Sequence, residues 1–180
     1  NGEVCAVVGE GGSVKCTLVR AAYGKLKRGT IRGKIWLNGT DVSTLSDGDW
    51  RQLRGTKISM IFQNPSAYLN PNRTVENHFK DLFRAHGESY EIARVIDMLK
   101  LVHLNDGERI LQSYPFQLSG GMQQRLAIAL SLILKPSIVF ADEPTSALDM
   151  LVQASVLDLM KEVTQALGAT VIIVTHNIKA

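Results

Sequence analysis

The chain contains the stretch Leu118-Ser119-Gly120-Gly121-Met122-Gln123-Gln124-Arg125, followed by an apolar run over residues 137–141 and then by Asp142-Glu143-Pro144-Thr145. The first segment places a serine and two glycines at the start of an amphipathic helix, where unpaired backbone N–H groups and the positive end of the helix dipole suit a phosphate. The apolar run is typical of a buried strand. It delivers two adjacent carboxylates at its carboxyl end, where open α/β sheets bind ligands.

Short apolar runs alternate with helical patterns along the whole chain, which indicates an α/β fold with a mainly parallel sheet flanked by helices. The predicted strands are Val4–Val8 and residues 34–37, 58–62, 137–141 and 170–174. The predicted helices cover residues 15 to about 23, 46–54 with Ser46 as cap, 75 to about 104, 119–134 with Ser119 as cap, and 151–167. In the helix that begins at residue 75, Ile92, Val95 and Leu99 are predicted to face inward.

The distribution of strands divides the chain into two parts. Residues 72–117 show helical patterns and no strand, so we expect a helical subdomain inserted beside a core lobe made of residues 1–71 and 118–180.

Composition excludes several classes of protein. Hydrophobic residues make up 45% and charged residues 21% of 180 residues, as in ordinary globular domains. The net charge of +3 is too small to indicate a nucleic-acid partner. No apolar stretch is long enough to span a membrane, and the first residues do not resemble a signal peptide. Two cysteines do not form a disulfide framework, and Cys5 is expected to pack as a small hydrophobe in the first strand.

A glycine-rich loop lies between the first strand and the first helix, where the phosphate-binding loop G-x-x-x-x-G-K-[ST] belongs. Gly9 and Lys15 match this pattern, but Val14 stands in place of the second glycine and Cys16 in place of the hydroxyl that binds Mg²⁺. The candidate phosphate-binding residues are Gly9, Gly11, Gly12, Ser13, Val14, Lys15, Cys16 and Thr17.

Both departures from the pattern have physical consequences. A valine in place of the glycine is expected to adopt positive φ at a cost of about 1–2 kcal/mol. Cys16 offers a soft sulfur where Mg²⁺ prefers a hard oxygen. Thr17 cannot replace it, because successive helical residues project about 100° apart. We therefore expect weakened nucleotide binding and poor retention of Mg²⁺.

Taken in this order, the loop, the Ser119-Gly120-Gly121 segment and the Asp142-Glu143 strand end resemble the motifs of the ATP-binding cassette (ABC) ATPases. The resemblance runs from the first strand to Thr175-His176-Asn177. It implies a P-loop NTPase-like fold, binding of ATP and Mg²⁺, and ATP hydrolysis.

The resemblance also implies roles for individual residues. Glu143 corresponds to the catalytic base, His176 to the switch histidine that contacts the γ-phosphate, and Gln63 to the glutamine that touches the metal and the lytic water. The metal position corresponds to Asp142, Gln63 and the substituted residue Cys16. Ser119, Gly120 and Gly121 correspond to the signature that binds the nucleotide of an opposite subunit, and Asp149 to a contact across the dimer interface.

Residues 63–71, Gln-Asn-Pro-Ser-Ala-Tyr-Leu-Asn-Pro, resemble the corresponding loop in ATPase subunits of bacterial oligopeptide, dipeptide and nickel importers. This branch implies a second ATP-binding subunit, membrane-spanning permease subunits, a solute-binding protein as indirect partner, and a place at the cytoplasmic face of the membrane. The family has an adenine-stacking aromatic residue before the first strand and further elements after the histidine, so we expect the chain to be incomplete at both ends.

Two alternatives remain open on the sequence alone. Val14 and Cys16 favour a nucleotide-binding subunit that does not hydrolyse ATP and has a docking or regulatory role, whereas Asp142, Glu143 and His176 favour the ATPase. A third reading, an ABC protein of DNA repair or translation, is opposed by the short separation of Gln63 and Ser119, which leaves no room for a long coiled coil.

Overall fold

The computed structural model describes residues 3–9, 14–26, 32–37, 39–145 and 150–175. The strands are β1 (Val4–Val8), β2 (Trp36–Leu37), β3 (Thr40–Asp41), β4 (Ile58–Ile61), β5 (Ile138–Asp142) and β6 (Thr170–Thr175). The α-helices are α1 (Lys15–Ala22), α2 (Asp47–Leu53), α3 (Val75–Ala85), α4 (Ile92–Leu101), α5 (Gly107–Gln112), α6 (Gly120–Leu132) and α7 (Met150–Leu167). Short 3₁₀ turns cover Pro65–Ala67 and Pro115–Gln117. Within the described residues, no helix combines the length and the apolar character that crossing a bilayer requires.

Four strands form a parallel sheet in the order β1-β6-β5-β4, and β2 and β3 form a separate antiparallel pair. The predicted α/β architecture is therefore confirmed. The central strand β5 aligns Asp142 with Val174 of β6, so the carboxyl ends of these two strands lie side by side. Helices cover both faces of the sheet at β4, which explains why this strand is buried along its whole length.

Side chains that alternate along the strands fill two separate cores, one on each face of the sheet. On one face Met60, Phe140 and Val174 pack with Val19 of α1 and Trp50 of α2. On the other face Ile61, Val139, Ala141 and Ile173 pack against α6, α7 and helices α3–α5. The sheet consequently carries α1 and α2 on one side and the remaining helices on the other.

Helices α3, α4 and α5 occupy the region between β4 and α6, but the predicted continuous helix from residue 75 to about 104 is wrong. The chain leaves the helical conformation at His86 and Gly87, where Gly87 has φ +68, and resumes at Ile92. Ile92 is 53% exposed and does not face inward, whereas Val95 and Leu99 are fully buried as predicted. Ile92 shares a helix face with Val95 and Leu99, but it is the first residue of α4 and lies at the exposed end of that face.

Strand β1 corrects a second expectation, because Cys5 is exposed and does not pack as a core residue. Among the strands that the structure describes, β1 pairs only with β6 and so lies at the edge of the sheet. Of its five residues only Val7 is half-buried. Cys16 is half-buried, and neither cysteine forms a disulfide.

Arg54 fixes the end of α1 against α2. Its Nη2 donates to the carbonyl of Gly24 at 2.6 Å and its Nε to that of Tyr23 at 3.2 Å, while the guanidinium stacks on Trp50. These bonds satisfy backbone carbonyls at the end of α1 that have no partner within the helix. The helix that carries the glycine-rich loop at its start is thus anchored at its other end.

Candidate nucleotide site

Asp142 and Glu143 lie at the carboxyl end of β5, as the strand pattern predicts. The Asp142 side chain is only 2% exposed. Glu143 adopts φ +47 and donates its backbone N–H to the carbonyl of Val174 at 2.9 Å. A non-glycine residue in this left-handed region costs about 1–2 kcal/mol, and such strain is concentrated at functional sites.

Gln63 lies opposite Glu143. It follows the end of β4 and donates its Nε2 to Glu143 Oε2 at 3.3 Å. The two residues are 80 positions apart in the chain. Strands β4 and β5 pair in parallel, so their carboxyl ends bring these side chains to the same edge of the sheet. The structure therefore joins two of the residues to which the sequence assigned catalysis.

The glycine-rich loop is described only in part, because Gly11, Gly12 and Ser13 lie outside the described residues. Lys15 begins α1, is 9% exposed, and donates its Nζ to the carbonyl of Gly9 at 2.7 Å. This bond holds the ammonium group of Lys15 over the start of the loop, where the pattern places the lysine that contacts phosphates.

Val14 does not have the backbone conformation predicted for it. It is the N-cap of α1 with φ −46 and ψ 17, so the expected strain at positive φ is absent. A residue that directly precedes a helix can adopt nearly helical angles, which a valine tolerates. Its side chain is 69% exposed and lines a shallow depression of about 460 Å³ together with Thr17 and Leu18.

Cys16 points to Asp142, whereas Thr17 faces the depression beside Val14. Burial raises the pKa of Cys16 to about 11, and a hydrogen bond to the Asp142 carboxylate and the charges of Asp142 and Glu143 act in the same direction. The side chain is therefore a protonated thiol at neutral pH. The expectation that Thr17 cannot replace the residue at position 16 agrees with this geometry.

Arg20 also contacts Asp142, a role that no sequence motif predicts. Its Nη2 lies 2.9 Å and its Nε 3.0 Å from Asp142 Oδ2. Arg20 follows Cys16 by four residues and so lies on the same face of α1. The four-residue spacing between Cys16 and Arg20, together with the predicted acidic strand end at Asp142, is the sequence signal that points to Arg20.

A divalent cation fits this strand end through oxygen donors. Asp142 Oδ1 is buried and has no hydrogen-bond partner in the part of the chain that the structure describes. Such an unpaired carboxylate oxygen suits Mg²⁺, and the amide oxygen of Gln63 is a second hard donor nearby. The protonated sulfur of Cys16 does not suit Mg²⁺. Among the described residues, no group of three His, Cys, Asp or Glu side chains forms a ready metal cluster.

The signature segment lies at the start of α6. Ser119 is the N-cap, and its Oγ accepts a hydrogen bond from the N–H of Met122 at 3.3 Å, as predicted. Gly121 packs closely against α7, since an added Cβ would lie 3.3 Å from Cγ1 of Val152 and that methyl group would have to shift slightly. Ser119 and Gly121 line a cavity of about 500 Å³ with Arg109, and the described lining residues include none from the glycine-rich loop.

Two further predicted residues, Asp149 and His176, lie outside the described residues. The structure thus brings Gln63, Asp142, Glu143 and Cys16 together at one edge of the sheet, and places the signature elsewhere.

A groove of about 660 Å³ runs between the loop after β4 and helices α3 and α6. Phe62 and Tyr68 stack in its wall, with ring centroids 4.0 Å apart. The apolar lining also includes Leu82 and Ala85 of α3 and Leu130 of α6. Because the loop that lines the groove begins at Gln63, the groove and the site at the strand ends are joined by a short stretch of chain.

Comparison with known proteins gives concordant matches. The sequence profile of the family described as "ABC transporter" matches residues 1–146. The "Dipeptide transport ATP-binding protein DppD" of Caldanaerobacter subterraneus subsp. tengcongensis is 41% identical over 97% of this chain and 55% of its own length. The "Oligopeptide transport ATP-binding protein AmiE" of Streptococcus pneumoniae is 40% identical over 98% of this chain and 52% of its own length. The chain thus spans about half the length of these curated relatives.

A solved structure has a similar fold. It is described as the "post-hydrolysis state of the ATP-binding cassette MJ0796 bound to ADP and Pi" and is dimeric. The superposition has a TM-score of 0.79 at 30% sequence identity and covers 98% of this chain and 76% of the other.

Proposed function

The chain belongs to the ABC transporter family, and we propose that it is the ATP-binding subunit of a peptide importer, in which ATP binding and hydrolysis drive transport. The proposal depends above all on the 3.3 Å contact between Gln63 and Glu143 at the strand end that carries Asp142. The relatives named for dipeptide and oligopeptide transport support peptides as cargo. Nickel-like substrates, which the sequence left open, gain no support from these names.

In the proposed reaction, the residues of this chain bind and orient ATP and the attacking water. The ammonium of Lys15 exchanges its bond to the Gly9 carbonyl for the phosphate oxygens. Glu143 accepts a hydrogen bond from the water and polarises it, and Gln63 holds the Glu143 carboxylate in place. Asp142 and Gln63 are the residues that would hold Mg²⁺, which supplies positive charge to the phosphates during transfer.

The strain at Glu143 contributes to this arrangement. With φ +47 and a backbone bond to Val174, the position of Glu143 is set by the sheet and does not depend on a flexible loop. A catalytic base held in this way loses little entropy when the substrate binds.

We propose that activity requires a second ATP-binding subunit. Ser119 and Gly121 line a cavity separate from the glycine-rich loop, so one chain supplies the two halves of the site at different places. The dimeric cassette structure supports this arrangement. In the proposed dimer, Ser119, Gly120 and Gly121 contact the nucleotide of the partner, and Asp149 and His176 complete the site.

The groove beside the loop after β4 is the proposed docking place for a helix of the permease. Its lining is mostly apolar, and it lies between the loop after β4 and helices α3 and α6. Residues 72–117, which carry these helices, are proposed to turn as a unit when nucleotide binds, and the loop that begins at Gln63 transmits this change. A subunit that acts in this way is peripheral to the membrane.

A second candidate function is a subunit that binds nucleotide without hydrolysing it. The protonated Cys16 at the position of a metal-binding hydroxyl favours it, because the metal is then held by fewer hard donors. In this case the partner subunit performs the chemistry.

The test of the proposal is ATP binding and hydrolysis by the purified protein and by Lys15→Ala, with Lys161→Ala as the matched control. Lys161 is exposed on α7, far along the chain from the loop. We expect the Lys15 variant to lose ATP affinity and the control to keep it. Equal affinity in all three proteins contradicts the proposal, and ATP binding without turnover under conditions in which the protein is dimeric selects the second candidate.

A further inference from the structure

Two side chains of α1 meet the same buried carboxylate. Cys16 and Arg20 are one helical turn apart, and both contact Asp142. Arg20 directs two N–H groups to a single oxygen, Oδ2, at 2.9 and 3.0 Å. The other oxygen, Oδ1, is buried without a hydrogen-bond partner among the described residues. In the described part of the chain, Oδ2 of Asp142 is therefore bonded to Arg20, whereas Oδ1 is available to a ligand.

This ion pair differs from the exposed pairs of the protein. In the pairs Arg84–Asp81 and Lys100–Asp97, both side chains are more than two-fifths exposed, and water screens their charges. In the Arg20–Asp142 pair the acid is 2% exposed while the base is 45% exposed. A buried carboxylate that loses its partner is strongly unfavourable, whereas an exposed pair contributes little.

We infer that Arg20 is the resident counter-cation of Asp142, which it holds by Oδ2 in the metal-free protein while Oδ1 stays open to a divalent ion. The inference rests on the proposed function, since it assigns Asp142 to the metal. It makes Arg20 a positioning residue for the site.

A consequence is competition between two cations at one carboxylate. The guanidinium repels a divalent ion bound to Oδ1, and it also lowers the need for such an ion by neutralising Asp142. Cys16 adds no hard donor to offset this effect. Without metal, Arg20 therefore neutralises the charge of Asp142 and stabilises the end of β5. The same contact lowers the affinity of the site for a divalent ion.

The experiment measures thermal unfolding of the purified full chain and of Arg20→Gln, each with and without millimolar MgCl₂ and without nucleotide. We expect Arg20→Gln to unfold at lower temperature without Mg²⁺ and to gain more from Mg²⁺ than the parent. The concentration of Mg²⁺ that gives half of this gain is expected to fall roughly ten-fold, the size of one charge-assisted contact. An equal or smaller Mg²⁺ effect in Arg20→Gln overturns the inference.

Matched variants separate this role from a general loss of packing. Arg84→Gln removes an exposed arginine of α3 and is expected to change neither quantity. Arg20→Lys keeps the charge and is expected to restore most of the stability and the small Mg²⁺ effect of the parent.

The double variant Arg20→Gln with Asp142→Asn keeps the inference testable if the single variant does not fold. The amide that replaces the Asp142 carboxylate carries no charge that needs a partner, so the double variant is expected to be more stable than Arg20→Gln and insensitive to Mg²⁺. A double variant as unstable as the single one overturns the inference. None of these measurements uses ATP, so a failure here is distinct from a failure of Lys15→Ala to affect ATP binding.

Discussion

Gln63 Nε2 and Glu143 Oε2 form a hydrogen bond of 3.3 Å between the ends of two neighbouring parallel strands. The bond joins the loop that borders the apolar groove to a carboxylate held at φ +47. A substitution of either Gln63 or Glu143 is therefore expected to affect both the proposed catalytic site and the proposed docking groove.

Replacing Glu143 by glutamine is expected to lower ATP turnover by about 10²–10⁴-fold while ATP binding persists, because the amide cannot act as a base. Turnover and nucleotide affinity measured on the same preparation check this. Glu108→Gln, on the exposed side of α5, is the control and is expected to match the parent. A turnover within about two-fold of the parent, by contrast, removes Glu143 from the mechanism.

The double change Val14→Gly with Cys16→Ser is expected to raise the affinity for Mg-ATP. Val14 is unstrained at φ −46, so the glycine acts only by removing an exposed side chain. Cys16→Ser supplies a hard oxygen next to Asp142, and we expect it to give the larger part of the gain. Titration of both single variants and the double variant with and without Mg²⁺ tests this, and a neutral double variant contradicts it.

The thiol of Cys16 is expected to react slowly with iodoacetamide at pH 8, because a pKa of about 11 leaves about one thiolate in a thousand. The rate is expected to increase with pH up to about pH 11. In Asp142→Asn the negative charge that helps raise the pKa of Cys16 is lost, so the rate at pH 8 is expected to increase. A Cys5→Ser background removes the exposed cysteine. Rapid alkylation at pH 8 while Asp142 is intact refutes the prediction.

Gly55→Ala is expected to destabilise the protein by more than backbone strain alone. Gly55 has φ +86, and an added Cβ would lie 2.5 Å from Nε2 of His86. Gly87→Ala is the matched control, since Gly87 has φ +68 and no atom within 4 Å of an added Cβ. We expect the free energy of unfolding to fall about 1–3 kcal/mol further for Gly55→Ala, the cost of overpacking. Urea unfolding of both variants measures this difference, and equal losses would mean that His86 moves aside freely.

Ala85→Arg is expected to abolish uptake of a radiolabelled peptide by cells that depend on this protein, while ATP binding in the purified variant stays normal. Ala85 lines the apolar groove, and an arginine there blocks a docking helix with both volume and charge. Ala93→Arg, on the exposed face of α4, is the control and is expected to transport normally. Normal uptake by the Ala85 variant would place the permease contact elsewhere.

Much of the fold was predictable because its signals are local. The apolar run before Asp142, the serine caps at Ser46 and Ser119 and the glycine after α7 each specify an element through a few neighbouring residues. The break between α3 and α4 also has a local signal, Gly87 at φ +68, which the helical spacing on either side of it concealed. The exposure of Cys5 was not predictable in this way, because it depends on the position of β1 in the folded sheet.

The sequence by itself determined where strands end and helices begin, because periodicity and capping act over a few residues. These strand ends and helix starts are suited to bind phosphate and Mg²⁺. Only the tertiary structure decided that Gln63 contacts Glu143, that Arg20 pairs with Asp142 Oδ2, and that Val14 is unstrained. The parallel pairing of β4, β5 and β6 brings the strand ends that carry these residues to one edge of the sheet. Their distances are set by the packing of α1 on the sheet, which no local pattern encodes.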